Sequence, residues 1–219
     1  MSFNYWFVVA TKRGEDEAQL TPEHFSVNSG SFGDMLSTYF AAVGEETPYI
    51  GWLEDAISDV SASNAIVDAG DCSEPDACLE TLAALREGMA AHAASLPPFT
   101  WITECRADGR RGFASSGARV QFEGAAWSVS GGFAPTVARE VVGWVPSKGK
   151  GKGKKPKTRS IDLRDVATWA CQDQAGNPLV LEFDRRPFHE FVARDLTGIG
   201  NIFESARKQG GLVAVLAIQ

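Results

Sequence analysis

Cations crowd one short stretch of the chain, "KGKGKGKKPKTR" at residues 148–159. Such side chains bind phosphates and release counterions, which makes a nucleic acid one candidate ligand. The interspersed glycines leave nothing apolar to bury, so we expect a flexible basic hairpin loop between two strands. The candidate anion-binding residues are Lys148, Lys150, Lys152, Lys154, Lys155, Lys157 and Arg159.

The same stretch does not match the P-loop, in which a glycine is followed after four residues by Gly-Lys and then Ser or Thr. Counted from Gly143, the pattern needs a glycine where Lys148 stands. The pair Gly149-Lys150 comes one residue late, and Gly151 occupies the place of the hydroxyl. Because no hydroxyl is available to bind magnesium, the sequence argues against a nucleoside triphosphate site.

Histidine and cysteine spacing gives no metal site. The segment "HEFVA" begins like a zinc-protease helix, but that pattern needs a second histidine where Ala193 stands. The three histidines, His24, His92 and His189, do not share a helix face, and the four cysteines form no C-x-x-C pair. We therefore predict no metal, no cofactor and free thiols.

No motif assigns a catalytic residue. The nearest match to the Gly-x-Ser-x-Gly elbow of hydrolases is "SGSFG", which has Ser29 in place of the first glycine. An enzyme would need a site assembled from scattered side chains, for which His189, Glu190 and Asp184 are candidates.

Acidic and aromatic side chains combine in "GEETPYIGWLEDAISD", residues 44–59. In such a patch the aromatic rings anchor a protein partner, while the carboxylates steer a basic one. The alternative is that both aromatic rings belong to the core. The predicted partner-binding residues are Glu45, Glu46, Tyr49, Trp52, Glu54, Asp55 and Asp59.

Charge is unevenly distributed along the chain, whose total is −7. Residues 1–100 hold 16 acidic and 3 basic residues, a net charge of −13, and residues 101–219 hold 12 acidic and 18 basic residues, a net charge of +6. Without the seven cations of 148–159 the second part would be −1. The sequence thus predicts an acidic body with one basic segment, which argues against a general nucleic-acid-binding surface.

Hydrophobic patterning predicts the elements that must position these residues. An aromatic and β-branched run at 5–11 favours a buried strand, and Thr21-Pro22-Glu23 is typical of a helix start. Apolar residues at helical spacing favour helices over 34–43 and 74–96. The prolines at 97–98 end the second of these helices.

The pattern changes after residue 98, where short alternating segments with turn-prone connections favour antiparallel strands. A last helix begins at Pro187, with Gly198 and Gly200 as candidate interruptions, and "LVAVLAI" favours a final buried strand. We therefore predict an α+β fold, with an N-terminal helical half packed on a mainly antiparallel sheet from the C-terminal half. We expect one domain over 1–219, with any subdivision near 97–98.

These observations lead to three functional hypotheses. The N-terminal residues lack the basic start of a signal peptide, and no apolar run is long enough for a membrane helix, so we expect a cytoplasmic protein without a membrane partner. The first hypothesis is a protein-interaction module whose acidic surface binds and masks a basic protein partner, for example an immunity protein that neutralises a toxin. The alternatives are a nucleic-acid-associated protein that uses the 148–159 segment, and an enzyme with a site assembled from scattered residues.

Overall fold

The computed structural model describes residues 4–44, 53, 56–58, 65–113, 117–122, 125–133, 137–146 and 154–218. The chain divides into two compact units. Unit 1 comprises Met1–Leu96 together with His189–Gln219, and unit 2 is Pro97–Phe188. The first boundary coincides with the prolines where the sequence allows a subdivision, and the expected number of domains stays a prediction.

Unit 1 contains a five-stranded sheet in the order β3-β13-β1-β2-β4. Its strands are β1 (Asn4–Lys12), β2 (Glu17–Asn28), β3 (Ile57–Ser58), β4 (Ile66–Asp68) and β13 (Leu212–Ile218). Neighbouring strands are antiparallel except β13 and β3, which run parallel. The helices are α1 (Ser29–Val43), α2 (Pro75–Ala91) and α3 (Phe188–Lys208), with a short 3-10 helix at Ala69–Asp71.

Both faces of the central strands of unit 1 are buried, which explains the continuous apolar run in β1. On one face Phe7 makes edge-to-face contacts with Phe32 of α1 and Phe203 of α3. On the other face Val8 and Leu216 belong to a second buried cluster of the sheet.

Helix α3 passes Gly198 and Gly200 without interruption, contrary to the interruption expected there. A Cβ atom at Gly198 would lie 2.3 Å from the Cζ atom of Phe25 on β2. The glycine is therefore explained by the close approach of the helix to this ring rather than by a break in the helix.

Unit 2 contains an eight-stranded sheet in the order β10-β9-β8-β7-β11-β12-β5-β6, and its paired strands are all antiparallel. The strands are β5 (Phe99–Arg106), β6 (Arg111–Phe113), β7 (Ala118–Phe122), β8 (Ala125–Val129), β9 (Val137–Pro146), β10 (Lys154–Asp162), β11 (Thr168–Gln172) and β12 (Pro178–Arg186).

The sheet of unit 2 curls around its own core. Thr100 on β5 and Gly132, just after β8, exchange two backbone hydrogen bonds of 2.9 Å, although β7, β11 and β12 lie between these strands in the sheet. Residues that alternate along the strands, including Ile102, Val120 and Leu181, form the buried face. The other face of β7, β8 and β9 remains exposed.

The predicted arrangement of a helical N-terminal half on a C-terminal sheet is wrong. The described structure is mostly β, with two sheets and three helices, and strands β1 to β4 all lie within the first 100 residues. The C-terminal strand β13 completes the first sheet by pairing with β1. Each half of the chain therefore contributes both strands and helices.

The helix-start signal at Thr21-Pro22-Glu23 is instead part of β2. In the β1–β2 register Val8 pairs with His24 and Ala10 pairs with Leu20. Residues 21–23, which lie between these two pairs, therefore form a bulge in β2. Pro22 has no N–H to leave unpaired there, and the Glu23 N–H donates to Thr21 Oγ1 at 3.2 Å. The Thr-Pro pair is thus as compatible with a bulge in a strand as with the first turn of a helix.

Candidate functional site

The charge separation along the chain coincides with the two compact units. Unit 1 holds 19 acidic and 6 basic residues, a net charge of −13, and unit 2 holds 9 acidic and 15 basic residues, a net charge of +6. The C-terminal segment 189–219 adds three acidic and three basic residues to unit 1, so it leaves that unit's charge unchanged.

The predicted partner-binding surface lies outside the described residues, so its geometry stays a prediction. This holds for all seven of its members, Glu45, Glu46, Tyr49, Trp52, Glu54, Asp55 and Asp59.

An acidic cleft of about 470 Å³ is present in the described part of unit 1, beside the β1–β2 turn and the 3-10 helix. Among the residues that the structure describes, its charged lining comprises Glu15, Asp16, Asp68, Glu74 and a single cation, Lys12. Lys12 Nζ is 3.0 Å from Glu74 Oε1, while Glu15 and Asp16 form no ion pair with a described residue. The cleft therefore carries an excess of negative charge.

A half-buried thiol in the lining of the cleft, Cys72, is affected by this charge. Burial raises the pKa of Cys72 to about 11, and the nearby carboxylates of Asp71 and Asp68 contribute to the increase. Burial likewise raises the pKa of Cys78 and of Cys171 to about 11. All four cysteines are free thiols. Since the thiolate is the nucleophile, these three cysteines are poor catalytic candidates at neutral pH.

The basic segment is partly strand rather than loop. Residues 147–153, with Lys148, Lys150 and Lys152, lie outside the described residues, whereas residues 154–159 belong to β10. This strand is an edge of the sheet, where exposed lysines such as Lys154, Lys155 and Lys157 disfavour pairing with other chains. Residues 154–159 therefore pair with β9, and the flexibility expected of the segment 148–159 stays a prediction.

Arg159 at the end of this segment is bound within the protein. Its guanidinium lies 2.6 Å from the Oε2 atom of Glu140, its backbone partner on β9. The side chain of Glu140 is 17% exposed, so Arg159 neutralises a largely buried carboxylate. Anion binding by the lysines stays a prediction, and so does the nucleic-acid hypothesis.

The exposed face of unit 2 carries a cross-strand row of polar residues. Arg119 on β7 pairs with Ser128 on β8, which pairs with Arg139 on β9, and Arg139 pairs with Ser160 on β10. Cross-strand partners share a face, so the row runs across four strands. The residues between them, such as Val120, belong to the core on the opposite face.

A bulge in β9 brings an aromatic side chain to the same face. Val141 pairs with Thr158 and Trp144 pairs with Pro156, so Trp144 lies on the face of Val141 although three residues separate them. Without the extra residue the alternation would place Trp144 on the opposite face. Trp144 is 62% exposed, which is unusual for so large an apolar side chain.

These residues line a solvent-open cavity of about 870 Å³, hereafter the open-face cavity. Its lining includes Arg119, Gln121, Ser128, Arg139, Trp144 and Thr158, and among the described residues none of those that line it is acidic. A cavity of this size is within the range of ligand sites.

Arg119 and Arg139 differ from the other arginines of unit 2, because neither has an ion-pair or hydrogen-bond partner among the described residues. The remaining seven bind a carboxylate or a backbone carbonyl, and they are Arg106, Arg110, Arg111, Arg159, Arg164, Arg185 and Arg186. This pair is not among the candidate residues predicted from the sequence. Strand alternation indicates that each is exposed, but only the register of β7, β8 and β9 places them in one row.

The three residues suggested for a scattered catalytic site are divided between the two units. Asp184 in unit 2 is exposed and its carboxylate lies 3.6 Å from the guanidinium of Arg186. His189 and Glu190 in unit 1 are exposed in the first turn of α3, and His189 lines a small hollow of about 180 Å³ together with Arg86 and Leu196. The enzyme hypothesis stays a prediction.

Within the described residues, no group of three or more His, Cys, Asp or Glu side chains is arranged to hold a metal ion. No described helix combines the length and apolar character needed to cross a membrane. Comparisons with protein-family models, with curated proteins and with solved structures find no match to this chain.

Proposed function

We propose that this chain is a protein-interaction module whose acidic surface binds and masks a basic protein partner, in the manner of an immunity protein that neutralises a toxin. The observation that supports this proposal is the net charge of −13 on unit 1. A concentrated charge of one sign accelerates association with a partner of opposite sign and disfavours partners of the same sign.

The acidic cleft supplies specific contacts in addition to this general attraction. Glu15, Asp16 and Asp68 surround a space in which Lys12, the one cation among its described lining residues, already pairs with Glu74. A lysine or arginine of the partner entering the cleft would form charge-assisted hydrogen bonds with these carboxylates. The predicted surface at residues 45–59 belongs to the same unit and would extend the acidic area.

The proposal is tested by immobilising the full chain and washing it with an extract of its native cells at low salt. We expect it to retain a basic protein and to release it as the salt concentration rises, because salt screens the attraction. A variant with E15Q, D16N and D68N should retain much less, and Asn at position 68 can still accept the hydrogen bond that Asp68 receives from Gly70 N–H.

A matched variant with E80Q, E87Q and E190Q carries the same change of net charge on exposed helical positions of unit 1, away from the cleft lining. It should retain the partner as the unmodified chain does. A further variant that neutralises Glu45, Glu46, Glu54 and Asp55 tests the surface predicted from the sequence. If no basic protein is retained at low salt, or if both the cleft variant and this further variant retain as much partner as the control variant, the proposal fails.

Masking is tested separately from binding. The retained protein is assayed alone and with increasing amounts of the chain, and its activity should fall to a minimum at a fixed molar ratio. If the complex forms and the partner's activity is unchanged, the interaction module stands but the neutralising role does not.

A further inference from the structure

We propose that the open-face cavity of unit 2 is a second binding site, which takes a carboxylate-rich segment of a protein partner. Arg119 and Arg139 bind the carboxylates, and Trp144 contacts an apolar side chain of the same segment. This site lies entirely within unit 2 and does not depend on the acidic cleft of unit 1.

The two arginines are available to an external ligand. Both are exposed, neither is bound to a described residue, and no acidic side chain among the described residues lines the cavity with them. The seven other arginines of unit 2 have partners within the unit. A planar guanidinium binds a carboxylate through two parallel hydrogen bonds, so two free guanidinium groups in one cavity favour a ligand with more than one carboxylate.

The spacing of the arginines suits an extended peptide. Arg119 and Arg139 are separated by one strand, which places their backbones about 10 Å apart at the usual strand spacing. Alternate side chains of an extended segment are about 7 Å apart on the same side. Flexible arginine side chains cover this difference, and Ser128 between them offers a further hydrogen bond.

Trp144 gives the site an apolar end. It is 62% exposed, Val141 lines the same cavity, and Val142 beside them is 49% exposed. Tryptophan and arginine, which line this cavity together, are enriched among the residues that contribute most energy to protein–protein interfaces. A segment that combines acidic residues with one large apolar residue therefore matches the cavity in charge and in polarity.

A peptide fits these observations better than a single-stranded nucleic acid. Strands of nucleic acid bind through several stacked bases, which requires a series of exposed aromatic rings. Trp144 is the one exposed aromatic ring among the described residues of the cavity, because Trp127 is only 6% exposed. The chain's net charge of −7 also repels a long polyphosphate more strongly than a short acidic segment.

The test measures fluorescence anisotropy of a labelled hexapeptide of alternating glutamate and leucine, titrated with the full chain at low salt. We expect saturable binding that R119Q and R139Q each weaken about tenfold, the usual effect of losing one charge-assisted pair. W144A should weaken it by a similar factor. R110Q is the matched control, because Arg110 is an exposed arginine of the same unit outside the cavity, and this variant should bind within about twofold of the unmodified chain.

Three results would overturn the proposal. The first is an absence of binding at concentrations of the chain up to about 1 mM. The second is an equal loss of affinity in R110Q and R119Q, which would show attraction by net charge alone. The third is tighter, arginine-dependent binding of a labelled short oligothymidylate, which would assign the cavity to nucleic acid.

Discussion

Substitution of Gly131 by alanine tests the closure of the curled sheet in unit 2. Gly131 follows β8 and precedes Gly132, whose backbone is bonded to Thr100 on β5. A Cβ atom at position 131 would lie 2.6 Å from the carbonyl oxygen of Thr100 and 3.3 Å from Cγ1 of Ile102. Ordinary contacts of a Cβ atom begin near 3.4 Å, so the methyl group overlaps the oxygen by nearly 1 Å.

The carbonyl cannot yield easily, because it accepts the Gly132 N–H hydrogen bond at 2.9 Å. Forcing a methyl group into a packed site costs about 1–3 kcal/mol. Alanine also restricts the unfolded chain relative to glycine, which offsets about 0.4–1 kcal/mol of this cost. We therefore expect G131A to lower the free energy of unfolding by about 1–2 kcal/mol.

The measurement is urea and thermal unfolding followed by circular dichroism. Each 1 kcal/mol lowers Tm by about 4–8 °C if unit 2 unfolds alone and by about 2–4 °C if the whole chain unfolds together. G143A on β9 is the matched control, because no atom lies within 4 Å of its added Cβ. It should leave stability unchanged or raise it by up to about 1 kcal/mol, because the restriction of the unfolded chain acts there without a clash. Equal stability of G131A and G143A would refute the argument that the bridge fixes this backbone.

Three further predictions concern titratable groups. Because the pKa of Cys72 is about 11, its rate of alkylation by iodoacetamide should increase about tenfold per pH unit between about pH 7 and pH 10. The alkylation rate of a thiol with the ordinary pKa of about 8.5 would instead level off near that pH. The pKa of Asp173 is held well below its ordinary value, first by the side chain of Asn177 and then by Arg106. Asp173 therefore stabilises the fold above about pH 3.8, and this contribution is lost as the pH falls below that value. In urea unfolding, D173N should be less stable than the unmodified chain at about pH 7, and the difference in stability should shrink toward about pH 2. R159Q should reduce stability by about 1 kcal/mol, because Glu140 loses its partner.

Each of these predictions has its own control. A Cys72 alkylation rate that levels off near pH 8.5 would contradict the raised pKa. A stability difference for D173N that is the same at pH 7 and pH 2 would exclude the carboxylate as its cause. K157Q removes the same charge two residues from Arg159, and equal destabilisation by K157Q and R159Q would show that the Glu140 ion pair contributes nothing.

Local patterns in the sequence predict many individual elements but not their partners. The strand expected at 5–11, the helix expected within 74–96 and the strand expected at the C-terminal end are confirmed as β1, α2 and β13. The pairing of β13 with β1 joins residues about 200 positions apart, and no local pattern encodes this contact. The predicted fold is wrong for this reason, since the sequence gives no reason to assign "LVAVLAI" to an N-terminal sheet.

The candidate site was predictable to a different extent in each unit. The excess of acidic residues in unit 1 is visible in composition alone, because residues 189–219 add no net charge. The open-face cavity depends on the register of three strands and on the bulge at Val142, which brings Trp144 to the face of Arg139. A bulge of this kind changes which residues share a face, and simple alternation cannot reveal it.

Unit 1 consists of two segments of the chain that are separated by unit 2, so its sheet can be completed only after unit 2 has been synthesised. Residues 97–188 leave the ribosome before β13, so unit 2 has all of its strands while the first sheet still lacks the strand between β1 and β3. Until β13 is synthesised, one edge of β1 exposes unpaired backbone groups. Apolar side chains of β1 such as Phe7 and Val9 then lack a neighbouring strand on that edge. Nascent chains that stop before residue 212 should therefore bind chaperones or aggregate, because the sheet of unit 1 cannot be completed until residues 212–218 are synthesised.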